Sequence, residues 1–315
     1  MRLYTFAALL MGWVTAMAWP ASTLASPGVD DAFLGRWDIT AKGSRAELPR
    51  FCWLELTRNE GVLKGRFNQG GGAVFNLPQV AIEKGELKFQ YPDDQTPQVW
   101  RATSKNGRLE GTASVDGHTL TWSGVRGPNW PSTLPERKPG KPIDLFNGKD
   151  VSGWLGQDPG RPLGWFVKDG ILMNQGKDAN NIYTRQKFND FRLEVEFNVD
   201  PKSNSGVYLR GRYEVQILDS PGRPLDVHSQ GALYGFIVPA VNASKPAGEW
   251  QTYEITLIAN RVTVILNGAK IIDNGEVPGI TGGALDANEK EPGPIMLQGD
   301  HGKVQFRKVR LTPLI

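Results

Sequence analysis

The chain contains one cysteine, Cys52, so no internal disulfide can form. Its stability must come from buried apolar surface, and 315 residues are enough for two domains that supply it. Cys52 lies in FCWLEL, an apolar strand-like run, where an inert buried thiol is the ordinary outcome. Histidine is nearly as scarce. His118, His228 and His301 are scattered and share no ligand spacing, which argues against a multi-histidine zinc motif. A calcium-type site built from Asp and backbone carbonyls leaves no such spacing and stays open. No dinucleotide fingerprint is present, so no cofactor is expected. The Gly-rich stretch GITGGALDANEKEPG, residues 279–293, lacks the strand-to-helix setting of a phosphate loop and reads as a mobile rim or lid. Charge of one sign is also missing. The net charge is +3, the charges are interspersed, and no basic stripe points to nucleic acid.

Long apolar runs are absent after the first residues, so no later segment is expected to cross a membrane. The opening MRLYTFAALLMGWVTAMAWPASTLAS carries Arg2, an apolar run from Leu3 to Ala18, Pro20 and then small residues. This pattern predicts a secretory signal over residues 1–25, removed near Ala25, and an exported, periplasmic or secreted protein. An uncleaved anchor is the alternative, and Pro20 shortens the apolar stretch below a comfortable span.

What is abundant is glycine (37), proline (22) and tryptophan (10), a mixture that suits short strands joined by turns. The stretch GPNWPSTLPERKPGKP, residues 127–142, holds five prolines and predicts a stiff, extended connector. It separates a first domain, residues 31–126, from a second, residues 143–315. In the first, Asn106-Gly107 and Asp116-Gly117 separate strand-like runs, as tight hairpins require. A small antiparallel barrel or sandwich is expected, with a filled core. Its opening FLGRWDIT resembles the first strand of lipocalin-like barrels.

The second domain alternates more clearly. In residues 192–199, Leu193, Val195 and Phe197 oppose Arg192, Glu194 and Glu196. Residues 253–258 and 261–266 repeat the pattern, and the whole reads as an all-β, two-sheet jelly roll. In YEVQILDS, residues 213–220, Val215 and Ile217 share one face while Glu214 and Gln216 share the other. An ordinary wet sheet face explains that polar pair as readily as a site does.

FNGKDVSGW, NSGVYLRGRYEVQILDS, GALYGFIVPAVNASKPAGEWQTYEI, VILNGAKI and GPIMLQGDHGKVQFRKVRLTPL occur in this order from Phe146 onward. Together they resemble the 3-keto-disaccharide hydrolase domain, across nearly all of residues 143–315. The resemblance implies a concanavalin-like jelly roll acting on glycosides oxidised at C3. One departure is Gly299, between Gln298 and Asp300, which shifts His301 relative to a tighter turn. A ketone at C3 acidifies the C2 proton, so a base, an enolate-binding donor and an acid for the leaving group suffice. The paired carboxylates of ordinary glycosidases are not required.

Residue type then suggests roles. Glu214 would be the base, Arg210 would bind the keto oxygen, and His301 would be the acid, oriented by Asp300. Gln216, Tyr234 and Gln298 would hold hydroxyls, with Asp219 and Trp250 completing the substrate-binding set. Simpler readings stand beside these: Arg210 in a structural ion pair, His301 as a surface imidazole, Tyr234 in the core, Trp250 as packing. The partners implied are a 3-keto-glycoside and a separate oxidoreductase that makes the ketone. The rival readings are a non-catalytic, lectin-like carbohydrate-binding module, which uses the same sheet, and a structural envelope protein.

Overall fold

The computed structural model describes residues 30–43, 50–91, 98–115 and 117–315, so the expected secretory segment lies outside the described residues, as does Asp116. The described residues are almost entirely strand and turn and contain no α-helix. The first nine strands are β1 (Gly35–Lys42), β2 (Arg50–Asn59), β3 (Val62–Asn68), β4 (Phe75–Asn76), β5 (Gln79–Glu83), β6 (Glu86–Tyr91), β7 (Gln98–Lys105), β8 (Arg108–Val115) and β9 (His118–Arg126). They form one antiparallel sheet in the order β4-β3-β2-β1-β9-β8-β7-β6-β5, curled until β5 returns to β3. The interior is filled. Phe67 packs against Phe89 and Trp100, and Trp100 against Trp122, at centroid distances of 4.8 to 5.8 Å. The Asn106-Gly107 turn has φ of 53° and 71°, the conformation that a two-residue hairpin needs.

The second unit comprises β10 (Ile143–Asp144), β11 (Trp154–Gly156), β12 (Trp165–Lys168), β13 (Ile171–Asn174), β14 (Ile182–Thr184), β15 (Phe191–Val199) and β16 (Asn204–Leu209). It continues with β17 (Tyr213–Leu218), β18 (Gln251–Ile258), β19 (Arg261–Leu266), β20 (Ala269–Glu276), β21 (Met296–Leu297) and β22 (Val304–Pro313). One sheet runs β12-β13-β22-β15-β18-β19-β20, with β10 also on β22; the other runs β11-β14-β21-β16-β17. This is the two-sheet, all-β jelly roll that the alternation predicts. Inward residues such as Leu193, Val195, Phe197, Val207, Val215 and Ile217 are buried between the sheets.

The connector is extended, but it is not free. Gly127 N–H donates to the Arg36 carbonyl, and Lys138 and Ile315 exchange two backbone hydrogen bonds of 2.9 Å. The barrel also enters the second core. Trp53, on β2, is completely buried and belongs to the jelly-roll cluster, edge-on to Phe236 at 5.3 Å. Its cross-strand partner on β1 is Asp38, so the two share the outer face of the barrel. That face lies on the loop at residues 277–295. The two units therefore share a packed boundary, with Trp53 of the barrel buried in the jelly-roll core.

A buried carboxylate in the candidate active site

β16 and β17 pair so that Tyr208 faces Glu214 and Gly206 faces Gln216. Directly opposite residues in an antiparallel pair point to the same face. Tyr208, Glu214 and Gln216 therefore share the outer face of the smaller sheet, while Val207, Val215 and Ile217 face the core. On β21, Met296 pairs with Tyr208, which puts Gln298 two residues on along the same face.

That outer face is not wet. Glu214 is 3% exposed, Gln216 2% and Gln298 8%. The cover is the loop at 277–295, whose stretch 279–293, expected as a mobile rim or lid, is found as a pinned strap. Arg212 grips Asp286 through two nitrogens at 2.6 and 3.2 Å, and Tyr213 donates to Glu289 at 2.9 Å. Thr281 accepts the Glu214 N–H at 2.9 Å, and Leu285 N–H donates to the Gly211 carbonyl. On the far side of the strap, Asp38 of the barrel meets Glu289. Burial and the neighbouring Glu289 charge push the Asp38 carboxyl up to about 9, so this pair holds a proton at neutral pH.

Between strap, sheet and barrel lies a cavity of about 170 Å³. Its walls include Tyr208, Glu214, Gln216, Tyr234, Gln298, His301 and Asn204, with Gly70, Gly71 and Gly72 from the barrel. Burial pushes the Glu214 carboxyl up to about 8, against the lowering effects of the Tyr208 hydrogen bond and the His301 charge. Tyr208 Oη lies 2.9 Å from both Glu214 Oε2 and the Gly282 carbonyl, and it accepts from Gln298 Nε2 at 3.4 Å. Burial, then the Glu214 charge, hold the Tyr208 phenol well above its usual range. His301 Nδ1 and Asp300 Oδ1 are 2.6 Å apart. That hydrogen bond, opposed by partial burial, raises the imidazole pKa. Burial would raise Asp300, but the His301 bond and charge outweigh it and keep the carboxylate ionised. The amide oxygens of Asn204, Gln216 and Gln298 have no hydrogen-bond partner, and all three residues line the cavity. Buried acceptors left open in this way suit a ligand rich in hydroxyls.

Six of the nine residues singled out from sequence meet here: Glu214, Gln216, Tyr234, Gln298 and His301 in the cavity wall, with Asp300 behind His301. The other three do not. Arg210 sits in a three-residue turn, with φ of 53°, so it escapes the parity of the strands on either side. Its guanidinium bonds the Asn189 carbonyl at 2.8 Å and Asp190 at 2.9 Å, which makes it a structural ion pair. Asp219 accepts the Lys202 N–H at 2.8 Å, capping a turn. Trp250 immediately precedes β18 of the other sheet, under the Arg307 guanidinium at 4.5 Å, and serves as packing. Residues missed from sequence are Tyr208, Asn204 and the three barrel glycines. The alternation in NSGVYL would have placed Asn204 and Tyr208 beside Glu214; nothing local places the glycines. A larger cavity of about 690 Å³ lies on the barrel between β3 and β5, with Glu55, Arg66 and Asn76 in its lining. Among the described residues no cluster of three or more metal-ligating side chains occurs.

Residues 141–312 match the family model described as the 3-keto-alpha-glucoside-1,2-lyase-like domain. A 3-keto-disaccharide hydrolase of Bacteroides thetaiotaomicron is 26% identical over 166 residues, covering 42% of this chain and 57% of that protein. The chain thus spans little more than half the length of that curated relative. A crystal structure from Parabacteroides distasonis, described as a candidate glycosyl hydrolase, shares 30% identity over 59% of this chain and 94% of its own, with a TM-score of 0.48. A second from the same organism, described in the same way, shares 23% identity over 55% and 94%, with a TM-score of 0.45.

Proposed function

The chain belongs to the 3-keto-α-glucoside-1,2-lyase-like domain family, and from that premise we propose that it cleaves glycosides carrying a ketone at C3. The single observation that supports this reading most is the Glu214 carboxylate, buried in a small polar cavity and poised near the operating pH. A base with a raised pKa holds a proton more strongly once it has taken one. Ionised Glu214 removes the C2 proton, and the electron pair moves onto the C3 oxygen as an enolate. The enolate then expels the glycosidic oxygen from C1, which takes a proton from the His301 imidazolium. The products are the free alcohol and an unsaturated keto sugar. Water adding at C1, with a proton returned to C2, completes net hydrolysis.

The donors needed at the enolate oxygen are neutral. Burial, followed by the Glu214 charge, raises the Tyr234 phenol, so it stays protonated and can donate. With Arg210 committed to Asp190, Tyr234 and the cavity amides take the role that sequence had given to the guanidinium. Asp300 raises the His301 pKa, which favours the imidazolium, and orients the ring through their hydrogen bond. The open amide oxygens of Gln216, Gln298 and Asn204 accept sugar hydroxyls. The ketone itself must come from a separate oxidoreductase, and an exported location remains part of the proposal.

Incubating the protein with 3-keto-glucosides and with the unoxidised glucosides tests this. Release of the alcohol from the 3-keto series alone is expected, with deuterium appearing at C2 in heavy water. Equal turnover of both series, or a hydrolysed sugar without deuterium at C2, would replace elimination with ordinary glycoside hydrolysis. No turnover of either, with retained binding, would favour the lectin-like alternative.

A further inference from the structure

Resting on the glycoside reading above, we propose that the N-terminal barrel is part of the sugar pocket, its loop at residues 69–74 forming the wall that limits what enters beside Glu214. The family match begins at residue 141, yet Gly70, Gly71 and Gly72 line the same cavity as Glu214 and His301. The contact is built on both sides. Gly283 N–H donates to the Gly70 carbonyl at 3.0 Å. A Cβ on Gly282 would stand 2.6 Å from the Gly72 carbonyl oxygen, and one on Gly235 would stand 3.0 Å from the Ala73 Cα. Gly279 lies against the Trp53 indole, where a Cβ would approach Nε1 to 2.0 Å. The jelly roll thus presents bare backbone to Gly72, Ala73 and the Trp53 indole, and Trp53 anchors the contact.

Opposite this glycine wall are Gln216 and Gln298, both more than nine-tenths buried, with amide oxygens that have no partner. A sugar ring that satisfies them must slide between amides and glycines. Side chains on the wall would shrink a cavity that is already only about 170 Å³, well below the ~300–1,000 Å³ of larger ligand clefts. Gly71 is the position where size can be changed cleanly. Its φ lies outside the left-handed region, and a Cβ there meets nothing within 4 Å.

The chain provides its own assay. Cys52 is buried and its thiol is pushed up to about 12, so a Gly71→Cys variant carries one reactive thiol. A small disulfide reagent and a bulky maleimide would each be attached, and kcat/KM on a 3-keto-glucoside compared with that of the same variant unlabelled. A graded loss is expected, reaching about tenfold or more with the bulky label. In a Gly71→Cys, Glu214→Gln double variant, saturating 3-keto-glucoside should slow labelling. Unchanged turnover after labelling, or a labelling rate indifferent to every glycoside tried, overturns the wall. Absence of turnover in the wild type would instead sink the elimination chemistry. The protection measurement, repeated with the unoxidised glucoside, then decides the wall by itself: slowed labelling supports it and unchanged labelling overturns it.

Discussion

Glu214 shows how a single residue exchanges stability for reactivity. A carboxyl whose folded pKa lies near 8, against 4.5 for an unburied one, keeps a proton that the unfolded chain releases. Stability from this group is full below about pH 4.5 and declines as pH rises to about 8. Glu214→Gln should therefore melt above the wild type at pH 8, with the difference shrinking toward pH 5. The same variant should lose about 10²–10⁴ in rate, and wild-type kcat/KM should climb with pH through a limb near 8. A melt difference independent of pH would mean that the carboxylate is not held as described. Tyr208 has one proton for two acceptors at 2.9 Å, so it serves Gly282 when Glu214 is protonated and Glu214 when it is ionised. Gly206 is the second sensitive position. A Cβ there would lie 2.2 Å from Glu214 Oε1, and its φ imposes no need for glycine. Gly206→Ala should displace the base and lower kcat by more than about tenfold, while the melt moves only a few degrees. Unchanged kcat would show that the carboxylate does not act from this position.

At the scale of elements, the β16–β17 hairpin holds the site through its turn. Arg210 binds Asp190, which also accepts from Arg137 at 2.7 Å and from the Ala259 N–H at 2.9 Å. Removing one partner of a buried pair typically costs about 3–5 kcal/mol, and the two remaining donors to Asp190 place this case at the lower end. Arg210→Ala should thus lower the denaturation midpoint, while turnover per folded molecule holds. A selective loss of turnover would return Arg210 to the chemistry. This hairpin also marks how far sequence reaches. Alternation in YEVQIL was enough to put Glu214 and Gln216 on one face and Val215 and Ile217 on the other, because strand parity is local. The turn hid the fate of Arg210, since a three-residue connection breaks that parity. Nor could the strand reveal that its polar face is sealed, because the seal comes from residues 281–291 and 70–72. Gly-rich and charged, the strap looked mobile; Arg212, Tyr213 and Asp38 hold it through contacts that no local pattern encodes.

For the whole molecule, the barrel and the jelly roll meet across a protonated carboxyl pair. Asp38 rises from 3.8 to about 9 through burial and the nearby Glu289, partly offset by Arg36 and Arg212. The folded state again holds a proton that the unfolded chain gives up, so this contact loses stability as pH rises from about 4 to about 9. The wild-type melting temperature should fall more steeply over that range than that of Asp38→Asn. Parallel slopes in a calorimetric pH series would show that the pair is not shared as inferred. Acid thus tightens the wall of the pocket, while alkali favours the ionised base beneath it.

The backbone bonds between Lys138 and Ile315 have a further consequence, which concerns time. β22 pairs with β10, β13 and β15, and it is synthesised after every other described strand. The strands of the barrel, by contrast, have all been made once β9 has emerged. They wait, tethered by residues 127–142, while the central strand of the partner sheet is still being made. Only when that strand arrives can it clasp the tether and bring Gly70, Gly71 and Gly72 over Glu214. A ribosome that stops early therefore releases every barrel strand beside an unfinished sandwich, and never a working pocket.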